Sequence, residues 1–354
     1  MRIMNWNIEW MNNWFVGNGL VALRSKYEPQ GGKGQIDDVD SLCKRVASVI
    51  SKIAPDILTV QEGPSDHREM SLFVKKYLNN VYDVFGAGKG YVDNSPKLEG
   101  GSQKVYILAK KDGEFKNCVI PRDSITDALH KSWKSDIDGG LKPIEYGFTR
   151  SPVVVEGTCS GKTLRIMSLH TKSKYVHGQK EMWESENDRP EFIEKAMKNR
   201  RRIASEAMRA RRYLNDIIKE NPLALTVVTG DLNDGPGHDY FERVYLSHNV
   251  TDILLGSTYY PRLLFMHSFL ERVPLEKRYT AIFDDFIDGI DDRPLLLDHI
   301  LVSPALSLPS IITNAGIAHE EFNSECDDSK QYERERMPSD HRPVFVDLDL
   351  GDNE

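Results

Sequence analysis

The chain has 354 residues and a mass of 40.4 kDa, and 40% of its residues are hydrophobic and 28% charged, which is the composition of an ordinary soluble globular protein with a sizeable core. Its formal net charge of -8 and its sequence pI near 5.8 argue against a protein that coats nucleic acid through bulk positive charge. They do not exclude a nuclease, because carboxylates that bind a divalent metal make the metal-free chain more negative.

Apolar runs rich in β-branched residues recur along the whole chain and predict strands. In chain order they cover residues 2–8, 56–61, 104–109, 152–156, 164–169, 224–229, 299–302 and 343–350. Two segments between these runs have apolar residues at helical spacing instead. The first follows Asp40 and Ser41 and ends before Pro55, and the second covers Arg189 to Glu220.

The apolar positions of the two predicted helices define the faces that we expect to be buried. In the first helix they are Leu42, Val46, Val49, Ile50 and Ile53. In the second they are Phe192, Ile193, Ala196, Ile203, Ala207, Leu214 and Ile217 or Ile218. The first helix leads directly into the buried run at 56–61, so a helix and a strand are expected to pack together there.

Many strands with only a few long helices predict a layered, mixed α/β domain with sheets at its centre. Glycine-rich and charged stretches at residues 16–40, 86–103, 126–147 and 173–190 predict loops around that core. No linker separates two parts of the chain. We therefore expect one domain over residues 1–354, with long insertions at about 16–40, 86–147, 173–190 and 234–297.

Cysteine usage and the N-terminal segment indicate a cellular compartment. The four cysteines are Cys43, Cys118, Cys159 and Cys326. They have no paired short spacing, so neither a thiolate metal site nor a disulfide framework is predicted. Asn5, Asn7 and Glu9 interrupt the N-terminal apolar residues, which is wrong for a signal peptide, and no later apolar run is long enough to span a membrane. We expect a cytoplasmic protein with no membrane partner.

Polar residues stand where the predicted strands end or begin. They are Asn7, Glu62, His170, Asp231 with Asn233, Asp298 with His299, and Asp340 with His341. Strand ends and the loops that follow them are where rigid frameworks present catalytic groups. A series of this kind along one chain predicts a shared functional site.

Each of these residues also has a structural interpretation when it is taken alone. Glu62 could be a solvated strand end or a helix cap, and the GDLND segment around Asp231 could form a turn. His170 could be a hydrogen-bonded core histidine, and we interpret His299 as structural. Only the complete set favours catalysis.

The ordered motifs NWN, VQE, SLH, GDLND, LDHILVS and SDHRPV resemble those of a bacterial-type member of the endonuclease/exonuclease/phosphatase superfamily, and they run from residue 5 to about 350. This superfamily includes deoxyribonuclease I, abasic-site endonucleases, sphingomyelinases and inositol phosphatases. The resemblance implies a four-layer α/β/β/α sandwich with two central mixed sheets packed face to face, as in deoxyribonuclease I. It also implies that the motifs converge at one edge of the sandwich.

The same resemblance implies a metal site and a general base. Glu62 and Asp340, with Asn7 nearby, would bind Mg²⁺, with Mn²⁺ as an alternative, because such cations prefer oxygen ligands. Asp231 would orient or deprotonate the attacking water. Asn233 would hydrogen-bond the phosphate or that water.

Two histidines complete the implied site. His341 would stabilise the charge of the transition state, and Asp298 would pair with it to set its tautomer and favour its imidazolium form. His170 would contact the phosphate or protonate the leaving oxygen. This last match favours the members that resemble deoxyribonuclease I or sphingomyelinase over abasic-site endonucleases, which carry a different group there.

Basic residues suggest where a substrate would bind. Lys172 and Lys174 follow His170 closely, and Arg150 precedes the predicted strand at 152–156; with Asn7 these residues are predicted to bind substrate phosphate. The arginines of the long predicted helix could line a nucleic-acid groove, but we favour a solvated helix face for them.

Three functions are compatible with the sequence. We favour a metal-dependent phosphoesterase that cleaves DNA or RNA phosphodiester bonds with an activated water, with nucleic acid as substrate and no obligate protein partner. The alternative is a phosphatase or phosphodiesterase for a small phosphorylated metabolite, nucleotide or lipid headgroup. A non-catalytic interaction protein is disfavoured, because every position that metal-assisted hydrolysis requires is filled.

Overall fold

The computed structural model describes residues 1–17, 19–29, 34–86, 103–137, 139–246, 248–308, 310–327 and 334–351. Within these ranges the strands, in chain order, are β1 (Arg2–Asn7), β2 (Phe15–Gly17), β3 (Leu20–Leu23), β4 (Ile57–Gly63), β5 (Tyr82–Gly86), β6 (Lys104–Lys110), β7 (Lys116–Val119), β8 (Trp133–Ser135), β9 (Ile144–Tyr146), β10 (Val153–Cys159), β11 (Lys162–His170), β12 (Leu225–Asp231), β13 (Met266–His267), β14 (Ala281–Asp285), β15 (Ile290–Leu295), β16 (Asp298–Val302), β17 (Ile312–Ile317) and β18 (Val344–Leu348). The helices are α1 (Val39–Ile53), α2 (His67–Tyr77), α3 (Ser124–His130), α4 (Gln179–Glu184), α5 (Arg189–Glu220), α6 (Tyr240–Val244), α7 (Val250–Leu255) and α8 (His319–Asn323).

Two large mixed sheets form the centre of the molecule. The first has the strand order β17-β18-β1-β4-β6-β5, and the second has the order β13-β16-β12-β11-β10-β7. Each sheet has one parallel pair in its middle, β1 with β4 in the first and β11 with β12 in the second, and its other pairs are antiparallel. The carboxyl ends of the two strands in each parallel pair therefore lie at the same edge of their sheet.

The two sheets pack face to face, because adjacent residues of a strand point to opposite faces and both faces are apolar. In β1, Ile3 enters the core between the sheets, whereas Met4 packs under the helices of the first sheet. In β12, Val227 enters the same central core and Val228 packs under the helices of the second sheet. This arrangement explains why the predicted strands are continuous apolar runs.

Helices cover the outer face of each sheet, so the molecule has four layers in the order α/β/β/α. Helices α1 and α2 contribute to the core on the first sheet, and α5 and α7 to the core on the second. The predicted fold class is therefore confirmed. No helix in the described part of the chain is both long and apolar enough to cross a membrane.

The two predicted helices are present, with one difference in where the first begins. Helix α1 starts at Val39, because the side chain of Asp38 accepts a hydrogen bond from the backbone N–H of Ser41 and so caps the helix two residues before Asp40. It ends at Ile53, and Ala54 adopts the left-handed conformation before Pro55. Helix α5 has the predicted bounds, with Pro190 in its first turn, where a missing N–H is tolerated.

Several segments that were predicted as loops contain regular structure, so those predictions were wrong in part. Residues 16–40 include the hairpin of β2 and β3, residues 126–147 include β8 and β9, residues 173–190 include α4, and residues 234–297 include α6, α7 and the hairpin of β14 and β15. These elements are short or have an exposed face, and their apolar periodicity is therefore weak. Most of the predicted loop at 86–103 lies outside the described residues.

Candidate active site

The predicted site residues meet at one edge of the sandwich because of the strand order. In the first sheet, β1 ends at Asn7 beside β4, whose next-to-last residue is Glu62. In the second sheet, β11 ends at His170 directly opposite Asp231, the last residue of β12. Asp298 begins the antiparallel strand β16 and is itself opposite Asp231. Residues that are far apart in sequence are thus placed together by backbone pairing.

Contacts across the two sheets form an acidic centre. The side-chain N–H₂ of Asn7 is 2.9 Å from a carboxylate oxygen of Asp231 and 3.4 Å from one of Glu62. His170 Nε2 lies 3.4 Å from the same oxygen of Asp231 and 4.0 Å from Glu62 Oε1. Asn7, Glu62, His170 and Asp231 therefore form one cluster, to which each of the two parallel strand pairs contributes two residues.

Glu62 is held in place from two sides. The backbone N–H of Trp10 donates to its Oε2 at 2.9 Å, and the side chain of Gln103 donates to the same oxygen at 2.6 Å. Gln103 in turn accepts from Arg150 Nη2 at 2.8 Å. Glu62 has a φ of 57°, and Asn233 has a φ of 49°. Non-glycine residues in this left-handed region are uncommon, and such strain is concentrated at functional sites.

His341 and Asp298 form a buried pair beside this centre. His341 Nδ1 is 2.7 Å from Asp298 Oδ2, and the other oxygen of Asp298 is 3.4 Å from the side-chain nitrogen of Asn5. Although burial lowers it, the charges of Asp298 and Asp340 raise the pKa of His341 well above its usual value. With Nδ1 bound to Asp298, the imidazolium has Nε2 left to donate a hydrogen bond, and Nε2 lies 4.0 Å from Asp340 Oδ1.

The pKa values of two buried groups beside His341, Asp231 and His170, are shifted in the direction that favours their neutral forms. Burial raises the pKa of Asp231 to about 6, and Asp298 acts in the same direction, whereas His341 lowers it. Burial, followed by the charges of Arg150 and His341, lowers the pKa of His170 well below its usual value. A carboxylate with a pKa of about 6 can accept a proton at working pH, whereas a histidine with a lowered pKa stays neutral and contributes hydrogen bonds.

Asn233 is positioned by the turn that follows β12. Its backbone N–H donates to Asp231 Oδ1 at 2.8 Å, and its side chain donates to the carbonyl of Thr171 at 3.2 Å. The left-handed backbone of Asn233 closes this turn, so the GDLND segment is both a turn and part of the cluster. The structural and functional interpretations of this motif are therefore compatible.

Ser339 attaches the segment that carries Asp340 and His341 to the end of β1. Its hydroxyl donates to the carbonyl of Asn7 at 2.7 Å and accepts from the backbone N–H of His341 at 3.1 Å. Burial, Glu9 and Glu62 raise the pKa of Asp340 well above its usual value. This shift indicates that Asp340 shares a buried, electronegative environment with Glu62.

The donor set fits a hard divalent cation. Asn7 Oδ1 is buried without a hydrogen-bond partner, and Glu62 and Asp340 are carboxylates whose pKa values are raised by burial. A cation bound there would relieve the charge of both carboxylates and would give the amide oxygen a ligand role. The described residues contain no group of three or more His, Cys, Asp or Glu side chains arranged to hold a metal. Mg²⁺ does not require one, since it commonly takes one or two carboxylates and keeps several waters.

The three basic residues that were predicted to bind phosphate differ in their surroundings. Arg150 donates to Gln103 and to the carbonyl of Thr171 at 3.1 Å, and its charge acts on both Glu62 and His170. Burial and the charge of Arg150 lower the pKa of Lys172. These observations put Arg150, and Lys172 through it, next to the acidic centre.

Lys174 makes a different set of contacts. Its ammonium group lies 2.6 Å from Asp234, 3.0 Å from Asp239 and 3.3 Å from Glu242. Burial lowers the pKa of Lys174, but these three carboxylates raise it to a net value above the usual one. Lys174 thus neutralises the acids Asp234, Asp239 and Glu242, and this geometry does not favour its predicted contact with substrate.

Three arginines of helix α5 contact other residues of the chain, whereas Arg212 is exposed as predicted for a solvated face. Arg200 pairs with Asp239 at 2.6 Å, and Arg202 pairs with Glu206 at 3.1 Å. Arg211 donates to the carbonyls of Leu254 and Leu263 at 2.9 and 2.6 Å. Our expectation of a solvated face was wrong for these residues, because their guanidinium groups attach neighbouring segments to the helix.

Some residues of the site were missed by sequence reasoning. They are Asn5, Gln103, Thr280, Arg334 and Ser339, which hydrogen-bond the predicted residues or the segments that carry them. Asn5 and Ser339 lie within the NWN and SDHRPV motifs and could have been chosen for that reason. Gln103, Thr280 and Arg334 have no local signal, since their partners are distant in the chain.

Comparison with known proteins identifies the family of this chain. The family model described as "Endonuclease/Exonuclease/phosphatase family" matches residues 4–341. No curated protein matches the chain in sequence.

Solved structures resemble the chain over nearly its whole length. Truncated TDP2 from Caenorhabditis elegans has a TM-score of 0.48 and 15% identity, and the match covers 98% of this chain and 96% of that chain. The endonuclease/exonuclease/phosphatase from Bacteroides vulgatus has a TM-score of 0.49 and 14% identity, with 99% and 98% covered. The 3′ phosphatase NExo from Neisseria, bound to a product DNA hairpin, has a TM-score of 0.49 and 16% identity, with 99% and 100% covered.

The family model spans every motif from NWN to the histidine of SDHRPV. The chain therefore belongs to the endonuclease/exonuclease/phosphatase family, whose members are hydrolases that act on phosphate esters and generally use divalent metals.

Proposed function

We propose that this protein is a Mg²⁺-dependent phosphoesterase that hydrolyses DNA or RNA phosphodiester bonds with an activated water, and that residues 1–354 form its single domain. One observation carries the proposal: the buried His341–Asp298 pair lies at the same sheet edge as the cluster of Asn7, Glu62, His170 and Asp231. A protonated histidine, a carboxylate base and oxygen ligands for a cation are the groups that phosphoester hydrolysis needs.

Glu62, Asp340 and Asn7 are the proposed ligands of Mg²⁺, or of Mn²⁺ in its place. When bound there, the cation would neutralise negative charge on the phosphate. The backbone N–H of Trp10 and the side chain of Gln103 both donate to Glu62 Oε2, which orients this carboxylate. The other oxygen of Glu62, which lies 3.4 Å from the side-chain nitrogen of Asn7, would then bind the cation.

Asp231 is the proposed general base. A pKa of about 6 leaves its carboxylate mostly ionised at neutral pH while keeping it basic enough to accept a proton from water. Its Oδ1 accepts from the backbone of Asn233 and its Oδ2 from the side chain of Asn7, so both oxygens are fixed in direction. Asn233 and Asn7 would also contact the phosphate and keep the water in line with the bond that breaks.

His341 is the proposed stabiliser of the transition state. Its raised pKa keeps the imidazolium charged, and its contact with Asp298 leaves Nε2 to donate to a phosphate oxygen. His170, which is neutral because of its lowered pKa, would hydrogen-bond the phosphate or the leaving oxygen. Arg150 and Lys172 would add positive charge on the side of Glu62 and His170.

The choice of a nucleic acid rests on exposed aromatic side chains beside these groups. Trp10, whose backbone bonds Glu62, is 53% exposed, and Phe283, whose ring centroid is 6.2 Å from that of His341, is 40% exposed. Aromatic faces next to a phosphate-binding centre can stack bases of a nucleic acid. The same rings could also serve to cover the site, which the substrate test below would distinguish.

A second candidate is a phosphatase or phosphodiesterase for a small phosphorylated metabolite, nucleotide or lipid headgroup. It is favoured by the ion pairs of Lys174, Arg200 and Arg202 with their own chain, since a long phosphate backbone needs free cations. A small ester would need little more than Arg150 and Lys172.

The experiment is to incubate the protein with Mg²⁺ or Mn²⁺ and four substrate classes: plasmid DNA, single-stranded DNA, RNA, and a panel of phosphate monoesters and small diesters. We expect cleavage of at least one nucleic acid and its loss in EDTA. Cleavage of small esters alone would support the second candidate. Full activity in EDTA would contradict the metal-dependent mechanism in both forms.

A further inference from the structure

Arg334 is a buried arginine close to the proposed metal ligands, and its guanidinium group donates to three backbone carbonyls. It is 3% exposed. Its Nη1 donates to the carbonyls of Met337 and Pro338, both at 3.1 Å, and its Nη2 donates to the carbonyl of Glu9 at 2.9 Å. Its Nε is 3.1 Å from the carboxylate of Glu9, and the group lies 5.6 Å from the ring centroid of Trp14.

These contacts join two segments that each carry a proposed metal ligand. Glu9 follows Asn7 by two residues at the end of β1, and Met337 and Pro338 directly precede Ser339 and Asp340. The segments are more than 320 positions apart in the chain, and the hydrogen bond from Arg334 to Glu9 spans 325. The hydroxyl of Ser339 makes a second link, to the carbonyl of Asn7.

We propose that Arg334 is a positioning residue that holds Asp340 against Asn7 and Glu62 and thereby sets the affinity of the site for its divalent cation. The inference rests on the proposed function, because it takes Asp340 and Asn7 as ligands. Arg334 itself touches neither ligand. It acts by fixing the backbone that follows Asn7 and the backbone that precedes Asp340.

The chemistry of arginine explains why this residue type stands here. Its planar guanidinium has five N–H donors in a rigid fork, so one side chain can hydrogen-bond three carbonyls while its charge pairs with the carboxylate of Glu9. A lysine has the same charge but three donors on a flexible stem, and it cannot hold that geometry. Charge is also needed, because Glu9, Glu62 and Asp340 are carboxylates that interact electrostatically within one buried region.

A comparable arginine elsewhere in the chain makes it possible to distinguish a purely structural role of Arg334 from a role in metal binding. Arg211 is 5% exposed, donates to the carbonyls of Leu254, Leu255 and Leu263, and lies 5.1 Å from the ring centroid of Phe265. It therefore makes the same kinds of backbone and aromatic contacts as Arg334, on the outer layer of the second sheet and without a metal ligand on the segments it joins.

The test compares Arg334→Lys with Arg211→Lys, using Mn²⁺ binding measured by electron paramagnetic resonance and by calorimetry, so that the readout does not depend on catalysis. The Asp340→Asn variant shows whether Mn²⁺ binds at the proposed site. We expect Asp340→Asn to lose most Mn²⁺ affinity, Arg334→Lys to bind about tenfold more weakly than the parent, and Arg211→Lys to bind like the parent, since disturbing the support of a ligand typically costs ten- to a hundredfold. Thermal unfolding reports whether both lysine variants lose similar stability.

Several results would overturn the inference. The first is that Arg334→Lys binds Mn²⁺ as tightly as the parent. The second is that Arg211→Lys loses as much Mn²⁺ affinity as Arg334→Lys. The third is that the parent binds no Mn²⁺, or that Asp340→Asn binds it as tightly as the parent.

If Arg334→Lys does not fold, Trp14→Phe replaces it, because the indole N–H is buried without a partner and phenylalanine only weakens the contact with the guanidinium. A two- to threefold weaker Mn²⁺ affinity is then expected, and an unchanged affinity counts against the inference. A parent that binds Mn²⁺ through Asp340 but hydrolyses no phosphoester would contradict only the proposed function.

Discussion

Strand β16 begins with two residues that each pair with a histidine, on opposite faces of one sheet. Asp298 contacts His341 at 2.7 Å on the face of this sheet that also bears His170 and Asp231, which is the proposed catalytic face. His299 contacts His267 at 2.9 Å on the other face, and its Nε2 is 2.7 Å from the carbonyl of Asp234. Asp298, His299 and His341 are buried and His267 is half-buried, and the two residues of β16 stand next to each other in one motif of the sequence, LDHILVS.

The two pairs differ in charge because their partners differ. The carboxylates around His341 raise its pKa well above the usual value even though burial lowers it. Burial, with the charge of its neighbour His299, lowers the pKa of His267 well below the usual value. Burial also lowers the pKa of His299, although its bond to the Asp234 carbonyl opposes this. A carbonyl oxygen accepts a hydrogen bond from a histidine that stays neutral. A carboxylate accepts the same hydrogen bond and also stabilises the positive charge of a protonated histidine.

Burial alone is therefore no guide to function in this molecule. A buried histidine with a carboxylate partner can provide a permanent positive charge, and a buried histidine with a neutral partner provides a hydrogen bond. The following experiments test whether the face of Asp298 carries the reaction and the face of His299 carries only stability.

The largest effect is expected from Glu62→Ala on the catalytic face. It removes a proposed metal ligand, so hydrolysis of a model phosphodiester in Mg²⁺ should be abolished while circular dichroism shows a folded protein. The matched control is Glu69→Ala, which removes another buried glutamate whose carboxylate also accepts a backbone N–H, in the capping box of α2. The control should lose stability and keep turnover. Equal activity of Glu62→Ala and the parent would refute the metal assignment.

His341→Ala should have the next largest effect. Removing a preorganised contact with the transition state typically costs about a hundredfold or more, so we expect kcat to fall by at least that factor. KM should change less, because the imidazolium contributes most where charge develops. Steady-state kinetics on the same model diester give both values. An unchanged kcat would remove His341 from the site.

Asp298→Asn should cost roughly ten- to a hundredfold in turnover, as expected for the partner of a functional histidine. The change removes the charge that raises the pKa of His341, so that pKa should fall. A group whose pKa falls loses its proton at lower pH, and the variant should therefore lose activity at the alkaline end of the range before the parent does. NMR titration of the His341 ring checks the cause. A ring that titrates as in the parent would contradict it.

Most residues of the candidate site could be predicted from the sequence, for a physical reason. The site residues lie at the ends of strands that are buried on both faces, and such strands are continuous apolar runs that make their ends visible. Asn7, Glu62, His170 and Asp231 were found in that way. The fold then brings them together through the two parallel strand pairs.

The remainder could not be predicted because it depends on contacts between distant segments. Lys174 was assigned to substrate because it is near His170 in sequence, but the chain turns away after β11 and its ammonium group meets Asp234, 60 positions later. Gln103 and Glu62 are 41 positions apart, and nothing local marks Gln103. The opposite roles of Asp298 and His299 also depend on which partners reach each face of the strand.

A smaller effect is expected from lowering the pH, which protonates Asp231 on the proposed catalytic face. Asp231 must be ionised to accept a proton, and its pKa is about 6. Activity should therefore rise with pH through about 6 and fall about tenfold for each unit of pH below it. A pH–rate profile of kcat/KM on a substrate that does not itself titrate in this range measures the midpoint. Activity that stays constant from pH 7 down to pH 4 would exclude Asp231 as the base.

The smallest effect on catalysis is expected on the other face, from His267→Phe. Since the Asp234 carbonyl can only accept, His299 has its proton on Nε2, and its Nδ1 must accept from His267. Phenylalanine fills the space beside Phe269 but leaves that Nδ1 buried and unpaired, which should cost about 1–3 kcal/mol of unfolding free energy. Urea denaturation measures this loss, and kcat should stay within about twofold of the parent. A tenfold loss of kcat with an intact fold would mean that the neutral pair also positions the catalytic turn through Asp234, and the two faces of β16 would then have to be treated as one functional unit.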